Sequence, residues 1–169
     1  IEAMGPRPDL LAVHVGRCLG DVNRGVRFVA AMAVGRAKIV DLALLVEPLL
    51  LDESQSVQAA AIYALTECGW EVDPTPLRQM LGSDDPEVKA NAALVLGELG
   101  NPTASEMIRW SLRQPMPSVS QVRGRMVDMQ LAEALIMLGH RQERQAILAA
   151  LYAPPEQAEL VAMACQILG

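Results

Sequence analysis

Apolar and polar positions follow a helical spacing along this chain, and the same arrangement returns every 31 residues. Val26, Val57 and Val88 are 31 residues apart, and each stands in front of an Ala-rich run. In the third run, Val88, Ala92 and Val95 recur at the spacing of one helix face. A fixed period of this length is typical of stacked supersecondary units, so the pattern predicts an all-α solenoid.

Each unit is predicted to be a helix, a short turn and a second helix. Ser83 or Asp84 is a good N-cap, and Pro86 fits the first turn of the helix that follows. Gly100 is expected to end that helix in the left-handed conformation, and Gly69 to end the preceding one. The second helices are predicted near residues 40–50, 75–82, 103–113 and 141–152.

The period is interrupted once, between Leu112 and Val127, where 8 extra residues are inserted. Ser118 and Gln121 fit a capping box, which predicts a long first helix that continues to about Leu138. We therefore expect one repeat domain over the whole chain, in units of roughly 1–20, 21–51, 52–82, 83–114, 115–153 and 154–169.

The ends of the chain fall within this repeat pattern. The sequence starts at Ile1 without an initiator methionine and stops just after the first helix of a unit. This arrangement predicts a piece of a longer protein. An array cut at both ends leaves apolar faces uncovered, so end-to-end self-association is expected.

Three segments carry a resemblance to a known repeat. Residues 21–35, 52–69 and 83–100 share an acidic or Ser start, a Val, an Ala-rich helix and a Gly near the helix end. This pattern resembles the short HEAT-like repeat of the phycobilisome-lyase type. The resemblance implies a right-handed α-α superhelix of about five helix pairs, with the second helices on the concave face. It also implies a scaffold or adaptor more often than a pigment lyase.

The resemblance further implies a ladder of contacts between units. In such repeats an Asp at the start of a unit and an Arg after the Val interact. Asp21 and Arg27 match this pattern, whereas Gln58 replaces the Arg in the second unit and Ser83 replaces the Asp in the third. Asp128 replaces the basic residue in the fourth unit, so the ladder is expected to be incomplete.

Charge and cysteine content narrow the function classes. The formal net charge is −6, which argues against a general nucleic-acid or anionic-membrane surface. No apolar run reaches the roughly 18 residues that a membrane span needs. Cys18, Cys68 and Cys165 are isolated, and so are His14 and His140, so we expect no metal site, no cofactor and no catalytic centre. The aligned core position of Cys68 predicts that its thiol is buried.

Trp110 is the strongest candidate for a binding residue. Its repeat equivalents are Gln79 and Pro48, so the position is not a core position, and a large aromatic side chain there is a candidate anchor. Alternatively, Trp110 packs over the insertion beside it. Trp70, in the turn after Gly69, is interpreted as a lid over the end of the stack or as a second anchor.

A local group of arginines surrounds Trp110 in an otherwise acidic chain. Arg109, Arg113, Arg123 and Arg125 are candidates to bind a carboxylate or phosphate of a partner. The alternative is that they pair with acidic residues of neighbouring units.

Three classes of function are compatible with a helical-repeat chain of this composition. We expect a non-catalytic protein–protein interaction scaffold with an unidentified protein partner. A tetrapyrrole lyase would need a pocket and a reactive cysteine, and the core-like settings of the three cysteines argue against it. Nucleic-acid binding would have to rely on the arginine group alone.

Overall fold

The computed structural model describes residues 8–169, and this part of the protein is all-helical. The chain is 73% helix, with ten α-helices and no strand among the described residues. The all-α class predicted from the repeat pattern is therefore confirmed. The helices are α1 (Pro8–Cys18), α2 (Arg24–Ala37), α3 (Ala43–Val46), α4 (Gln55–Glu67), α5 (Thr75–Met80), α6 (Pro86–Glu98), α7 (Ala104–Leu112), α8 (Gln121–Met137), α9 (Arg144–Ala150) and α10 (Ala158–Leu168).

Side-chain caps start the long helices α2, α6 and α8. The side chains of Asn23 and Asp85 each accept a hydrogen bond of 2.8 Å from the backbone N–H two residues later, which satisfies a donor that the helix leaves unpaired. The predicted caps were too early in two cases. Asp85 caps α6, while Ser83 accepts a bond from the N–H of Asp85. Ser120 caps α8, because Ser118 is held in the preceding turn.

The helices α2, α4, α6 and α8 are the first helices of their repeats, and each ends at an equivalent residue in the left-handed conformation. Gly69, Gly100 and Gly139 have φ angles of 87°, 67° and 95°, and Lys38 has a φ of 49°. The endings predicted at Gly69 and Gly100 are confirmed. After α4, the N–H of Gly69 bonds to the carbonyl of Thr66 and the N–H of Trp70 bonds to that of Leu65, which is a complete Schellman motif. This motif fixes where Trp70 leaves the helix.

The second segments are shorter and less regular than the first helices. Residues 40–51 form two 3₁₀ turns, Val40–Leu42 and Glu47–Leu51, on either side of α3. Pro48 has no N–H for an α-helical bond at this place, which accounts for the interruption. The helices α5, α7 and α9 lie within the ranges predicted for second helices, so the helix-turn-helix reading of the repeats holds locally.

The first compact unit of the fold ends at Pro76, and its core lies between α2 and α4. Ala59, Ala60 and Ala61 are fully buried, together with Val34. Gly35 lets the two helices come close, because a Cβ built at Gly35 would lie 2.5 Å from the ring of Tyr63 and 3.0 Å from the Cα of Ala64. The small residues therefore set the helix separation.

An ion pair joins two consecutive repeats within this first unit. Arg27 donates from Nε and Nη2 to the carboxylate of Asp52 at 2.8 and 2.9 Å, and from Nη1 to the carbonyl of Asp21 at 2.9 Å. Both side chains of the pair are nearly buried. The ladder contact that the resemblance implies is thus present between the repeats that start at Asp21 and Asp52.

The second compact unit runs from Leu77 to Gly169. Its helices α6 and α8 pack closely at Gly97, where an added Cβ would lie 3.1 Å from both the Cα of Ala134 and the sulfur of Met137. Towards the C-terminus, α8, α9 and α10 share an apolar core. Its buried members are Met129, Ala132, Ile147, Ala150, Leu160 and Ala164.

Candidate functional site

The predicted binding residues lie on two helices of the second unit. Arg109 and Trp110 are on α7, and Arg113 is the residue that caps the C-terminal end of this helix. Arg123 and Arg125 are in the first turns of α8. The long α8 predicted from the insertion therefore exists, and it places the last two arginines near its N-terminal end.

Trp110 is partly exposed and partly packed. Its side chain is 42% exposed, as expected for a position outside the core pattern. The edge of the indole covers Gly82, where an added Cβ would lie 3.2 Å from Cη2 of the ring. The edge of the ring therefore rests on the turn after α5. The exposed part of Trp110 remains accessible to a partner.

Ser111 explains why a polar residue follows Trp110 at a core position of the repeat. Its hydroxyl is buried and donates a hydrogen bond of 2.6 Å to the carbonyl of Leu81. The bond satisfies the hydroxyl and fixes α7 against the turn after α5. The neighbouring Trp110 is held at its position by the same contact.

The four arginines are not equivalent in the structure. Arg109 lies 3.5 Å from the carboxylate of Glu143 and 3.6 Å from that of Glu106, and Arg125 donates to the side chain of Gln157 at 2.8 Å. Arg109 therefore pairs with acidic residues, as in the alternative hypothesis, whereas the partner of Arg125 is an uncharged amide. Arg113 and Arg123 are exposed. The arginine group is thus divided into two engaged and two exposed members.

A groove beside α8 contains charges of both signs. Arg125, Asp128 and Glu143 line it together with apolar residues of α8 and α9. Burial raises the pKa of the Asp128 carboxyl, and the charge of Lys89 opposes this shift only in part. A groove with mixed charge does not favour a polyanion such as nucleic acid.

Lys89 is a buried charged residue that the sequence reading did not single out. Its side chain is 2% exposed, and burial lowers its pKa although Asp84 and Asp128 raise it. Asp128 had been read as a break in the ladder, but it supplies a negative charge near Lys89 from α8 itself. The sequence carries a sign of this arrangement. Val122 stands where the repeat would place its initial acidic residue, and the acidic Asp128 stands where the repeat would place its basic residue.

A second groove lies in the first unit, around Trp70. This Trp70 groove encloses about 350 Å³ between the turn Glu47–Leu51, α4 and residues 70–76. Trp70 itself is half-buried and forms part of the wall, so it is neither a fully exposed anchor nor a closed lid. The apolar lining residues are Leu50, Ile62, Leu65, Trp70, Val72 and Pro76.

Carboxylates also line the Trp70 groove. Glu47, Glu71 and Asp73 contribute to its wall, and the lining contains no lysine or arginine. The side chain of Asp73 accepts a hydrogen bond of 2.9 Å from the N–H of Thr75. Hydrogen bonds from Thr75 lower the pKa of Asp73, which keeps this carboxylate ionised. The sequence reading missed this groove, although the run Trp70-Glu71-Val72-Asp73 already combines an aromatic ring with acids.

The remaining reactive residues are distributed over the fold. Cys68 is buried as predicted, and burial raises the pKa of its thiol. Cys165 is exposed and Cys18 is partly exposed beside a small apolar groove, so the core-like setting expected for these two is wrong. Their helices lie at the ends of the described chain, where fewer neighbouring helices cover them.

His140 has a partner that sequence spacing could not reveal. Its Nε2 lies 2.8 Å from the hydroxyl of Ser105, which is buried at the start of α7. Together with the Arg109–Glu143 pair, the contact connects α7 to the segment before α9. Because the hydroxyl is buried, the contact holds structure and does not present a nucleophile to solvent.

Neither a metal-ion cluster nor a membrane-spanning helix occurs in residues 8–169. No group of three or more His, Cys, Asp or Glu side chains in this range is arranged to hold a metal ion. None of the helices in the described range is both long and apolar enough to cross a bilayer.

Comparison with known proteins adds no relative. No family model matches this sequence, and no curated protein is significantly similar to it. The likeness to HEAT-like repeats therefore depends on the residues quoted above.

Proposed function

We propose that the protein is a non-catalytic interaction scaffold, built as a right-handed α-α superhelix of HEAT-like repeats. The 31-residue period, the equivalent left-handed helix endings and the Arg27–Asp52 contact between consecutive repeats support this architecture. In such an array the second helices present the binding face. The same architecture makes the whole chain a single repeat domain.

The observation that carries the functional proposal is Trp110. An aromatic side chain that is 42% exposed, and whose edge is held on Gly82, loses little conformational freedom when a partner covers it. Aromatic and arginine side chains are the commonest energetic anchors of protein interfaces. Exposed Arg113 follows Trp110 by three residues, so the two side chains lie on neighbouring turns of one helix surface.

The chemistry of the other candidate residues favours binding over catalysis. The Ser105 hydroxyl is buried against His140, and Arg109 and Arg125 are engaged by Glu143 and Gln157. These contacts stabilise the surface on which Trp110 stands and leave Arg113 and Arg123 to meet a partner.

The test is a pull-down from a lysate of the source cell with the wild-type protein and with a Trp110→Ala/Arg113→Ala variant. A matched control variant, Tyr152→Ala/Arg141→Ala, also removes one exposed aromatic ring and one exposed arginine. We expect a partner that the wild type and the control retain and that the Trp110 variant loses, with circular dichroism unchanged. Equal retention by all three proteins would place the binding face elsewhere.

A further inference from the structure

The Trp70 groove has a composition that selects the chemistry of its occupant. Six apolar residues and three carboxylates line it, with no basic residue. An apolar groove alone would accept any apolar chain. Because all the charged lining residues are acidic, the groove favours a basic segment. A neutral or acidic segment would not compensate its negative potential.

The three carboxylates are free to meet a cation. None of Glu47, Glu71 and Asp73 forms an ion pair with a residue in the described part of the chain, and Glu47, Glu71 and Asp73 are exposed. The hydrogen bond from Thr75 fixes the direction of the Asp73 side chain. A partner cation would thus gain a charge-assisted contact without displacing an internal one.

The indole of Trp70 adds a second preference for a cation. The Schellman motif at the end of α4 fixes the backbone of Trp70, and the ring is half-buried in the groove wall. A fixed indole face attracts a guanidinium or ammonium group and also packs against aliphatic carbons. Arginine and lysine side chains offer both an aliphatic stem and a charged head.

The walls of the groove are held in place by the fold. Ile62 and Leu65 belong to the buried core of α4, and the amide of Gln58 donates a hydrogen bond of 2.6 Å to the carbonyl of Asp52. The acidic residue Glu47 opens the turn Glu47–Leu51 that forms the opposite wall. A preformed groove needs little reorganisation on binding.

We propose that the Trp70 groove binds a peptide segment of a protein partner in which basic and apolar side chains alternate. The apolar side chains contact Leu50, Val72 and Pro76, which are partly exposed, while an arginine or lysine lies against Trp70 and meets Glu47, Glu71 and Asp73. This inference rests on the proposed scaffold function for the nature of its partner, but it concerns a different surface from that of Trp110.

The experiment uses a labelled ten-residue peptide of alternating arginine and leucine as the probe, with binding followed by fluorescence anisotropy and by the emission of Trp70 in a Trp110→Phe background. A Glu47→Gln/Glu71→Gln/Asp73→Asn variant neutralises the groove and retains a side chain that can cap α5. A control variant, Asp41→Asn/Glu156→Gln/Glu159→Gln, removes three exposed carboxylates that do not line the groove.

We expect the groove variant to bind the probe about tenfold more weakly than wild type, and the control variant to bind within about twofold. Trp70→Leu is expected to weaken binding by a smaller factor, since it keeps the apolar contact and loses the aromatic face. Equal weakening by the two triple variants would overturn the proposal, because binding would then depend on the net charge of the protein and not on the groove.

Two further probes complete the test. A peptide of alternating arginine and serine should bind more weakly than the leucine peptide, and one of alternating glutamate and leucine should not bind. Equal binding of the serine peptide would contradict the apolar part of the proposal. These outcomes do not depend on Trp110, so a failed pull-down with the Trp110 variant and a failed peptide titration are distinguishable.

Discussion

Arg27 and Lys89 occupy equivalent positions in the repeat, but the first and second units treat the charge differently. Arg27 donates two hydrogen bonds to Asp52, the first residue of the next repeat. Lys89 is more deeply buried, and its neighbouring charges are Asp84 in its own turn and Asp128 on α8. The same position therefore supports a bidentate ion pair in one unit and a buried amine near two acids in the other.

The difference shows what a repeat alignment conveys. It identifies the position that carries the basic residue, and it does not show which element supplies the acid. In the first unit burial raises the pKa of Asp52, but the bonds from Arg27 and from the N–H of Ser54 outweigh this and hold the pKa below 3.8. In the second unit burial prevails, and the pKa of Asp128 lies above 3.8.

The largest expected effect is the loss of the acid of the first unit, which we compare with the loss of the acid of the second. Asp52→Ala should lower the free energy of unfolding by about 2–3 kcal/mol, since it leaves the guanidinium of Arg27 without its carboxylate. Asp128→Ala should cost less, because Asp128 is exposed and, within residues 8–169, forms no salt bridge or hydrogen bond comparable to that of Asp52. Urea denaturation, with Asp41→Ala as the exposed control, measures both. Equal losses for Asp52 and Asp128 would contradict the comparison.

Helix contacts in the two units differ in a second way that substitution at glycine should reveal. Gly35→Ala should destabilise by about 2 kcal/mol, since its Cβ meets the ring of buried Tyr63 and the backbone of Ala64. Gly97→Ala should cost less, about 1 kcal/mol, because its nearest contacts are at 3.1 Å rather than 2.5 Å and one of them is the movable side chain of Met137. Thermal unfolding followed by circular dichroism ranks the two variants, and a larger loss at Gly97 would show that the α6–α8 contact is the tighter one.

Replacing the buried amine sharpens the comparison further. Lys89→Met keeps most of the side-chain volume and removes the cost of burying the charge, so the stability should stay unchanged or rise by about 1 kcal/mol. Arg27→Met should instead lower stability, since two hydrogen bonds to Asp52 are lost. Urea midpoints of the two variants provide the measurement. A loss in Lys89→Met as large as that in Arg27→Met would mean that Lys89 is a fully satisfied ladder residue.

The smallest expected effect is the response to pH. Because the pKa of Asp52 is lowered from 3.8, its contribution is complete above pH 3.8 and is lost as the pH falls through the folded value. The pKa values of Asp128 and Glu133 are raised, first by burial, from 3.8 and 4.5. Their contribution is complete below those values and is lost as the pH rises through the folded ones.

Stability should therefore rise slightly as the pH falls from 7 towards 4.5, and then drop below pH 3.8. Asp128→Asn/Glu133→Gln should remove the rise, and Asp52→Asn should reduce the drop. Urea titrations at a series of pH values measure both changes. A rise that persists in the Asp128→Asn/Glu133→Gln variant would assign it to other groups.

The sequence predicted the helical class, the repeat period and the helix endings at Gly69 and Gly100, because these follow from local spacing and backbone conformation. It misplaced the caps of α6 and α8, since several adjacent polar residues compete there for the same N–H groups. It identified Trp110 as lying outside the core, but the engagement of Arg109 and Arg125 depends on Glu143 and Gln157, which are distant in sequence.

Candidate sites were harder to predict than helices for a related reason. The Trp70 groove joins Glu47 to Asp73 across α4, and a one-dimensional pattern does not record that proximity. The partner of His140 was missed in the same way, because Ser105 lies 35 residues away in the chain.

The alanine core of α4 limits which substitutions this protein can accumulate. Ala59, Ala60 and Ala61 are fully enclosed by their neighbours. A larger side chain at any of them meets packed atoms, and glycine weakens the helix by about 1 kcal/mol. Few substitutions are therefore tolerated at these three positions, whereas the turn Glu47–Leu51 and residues 70–76 have solvent on one side. Substitutions compatible with the fold are therefore expected mainly at the exposed residues of the Trp70 groove, where they would alter its binding preference.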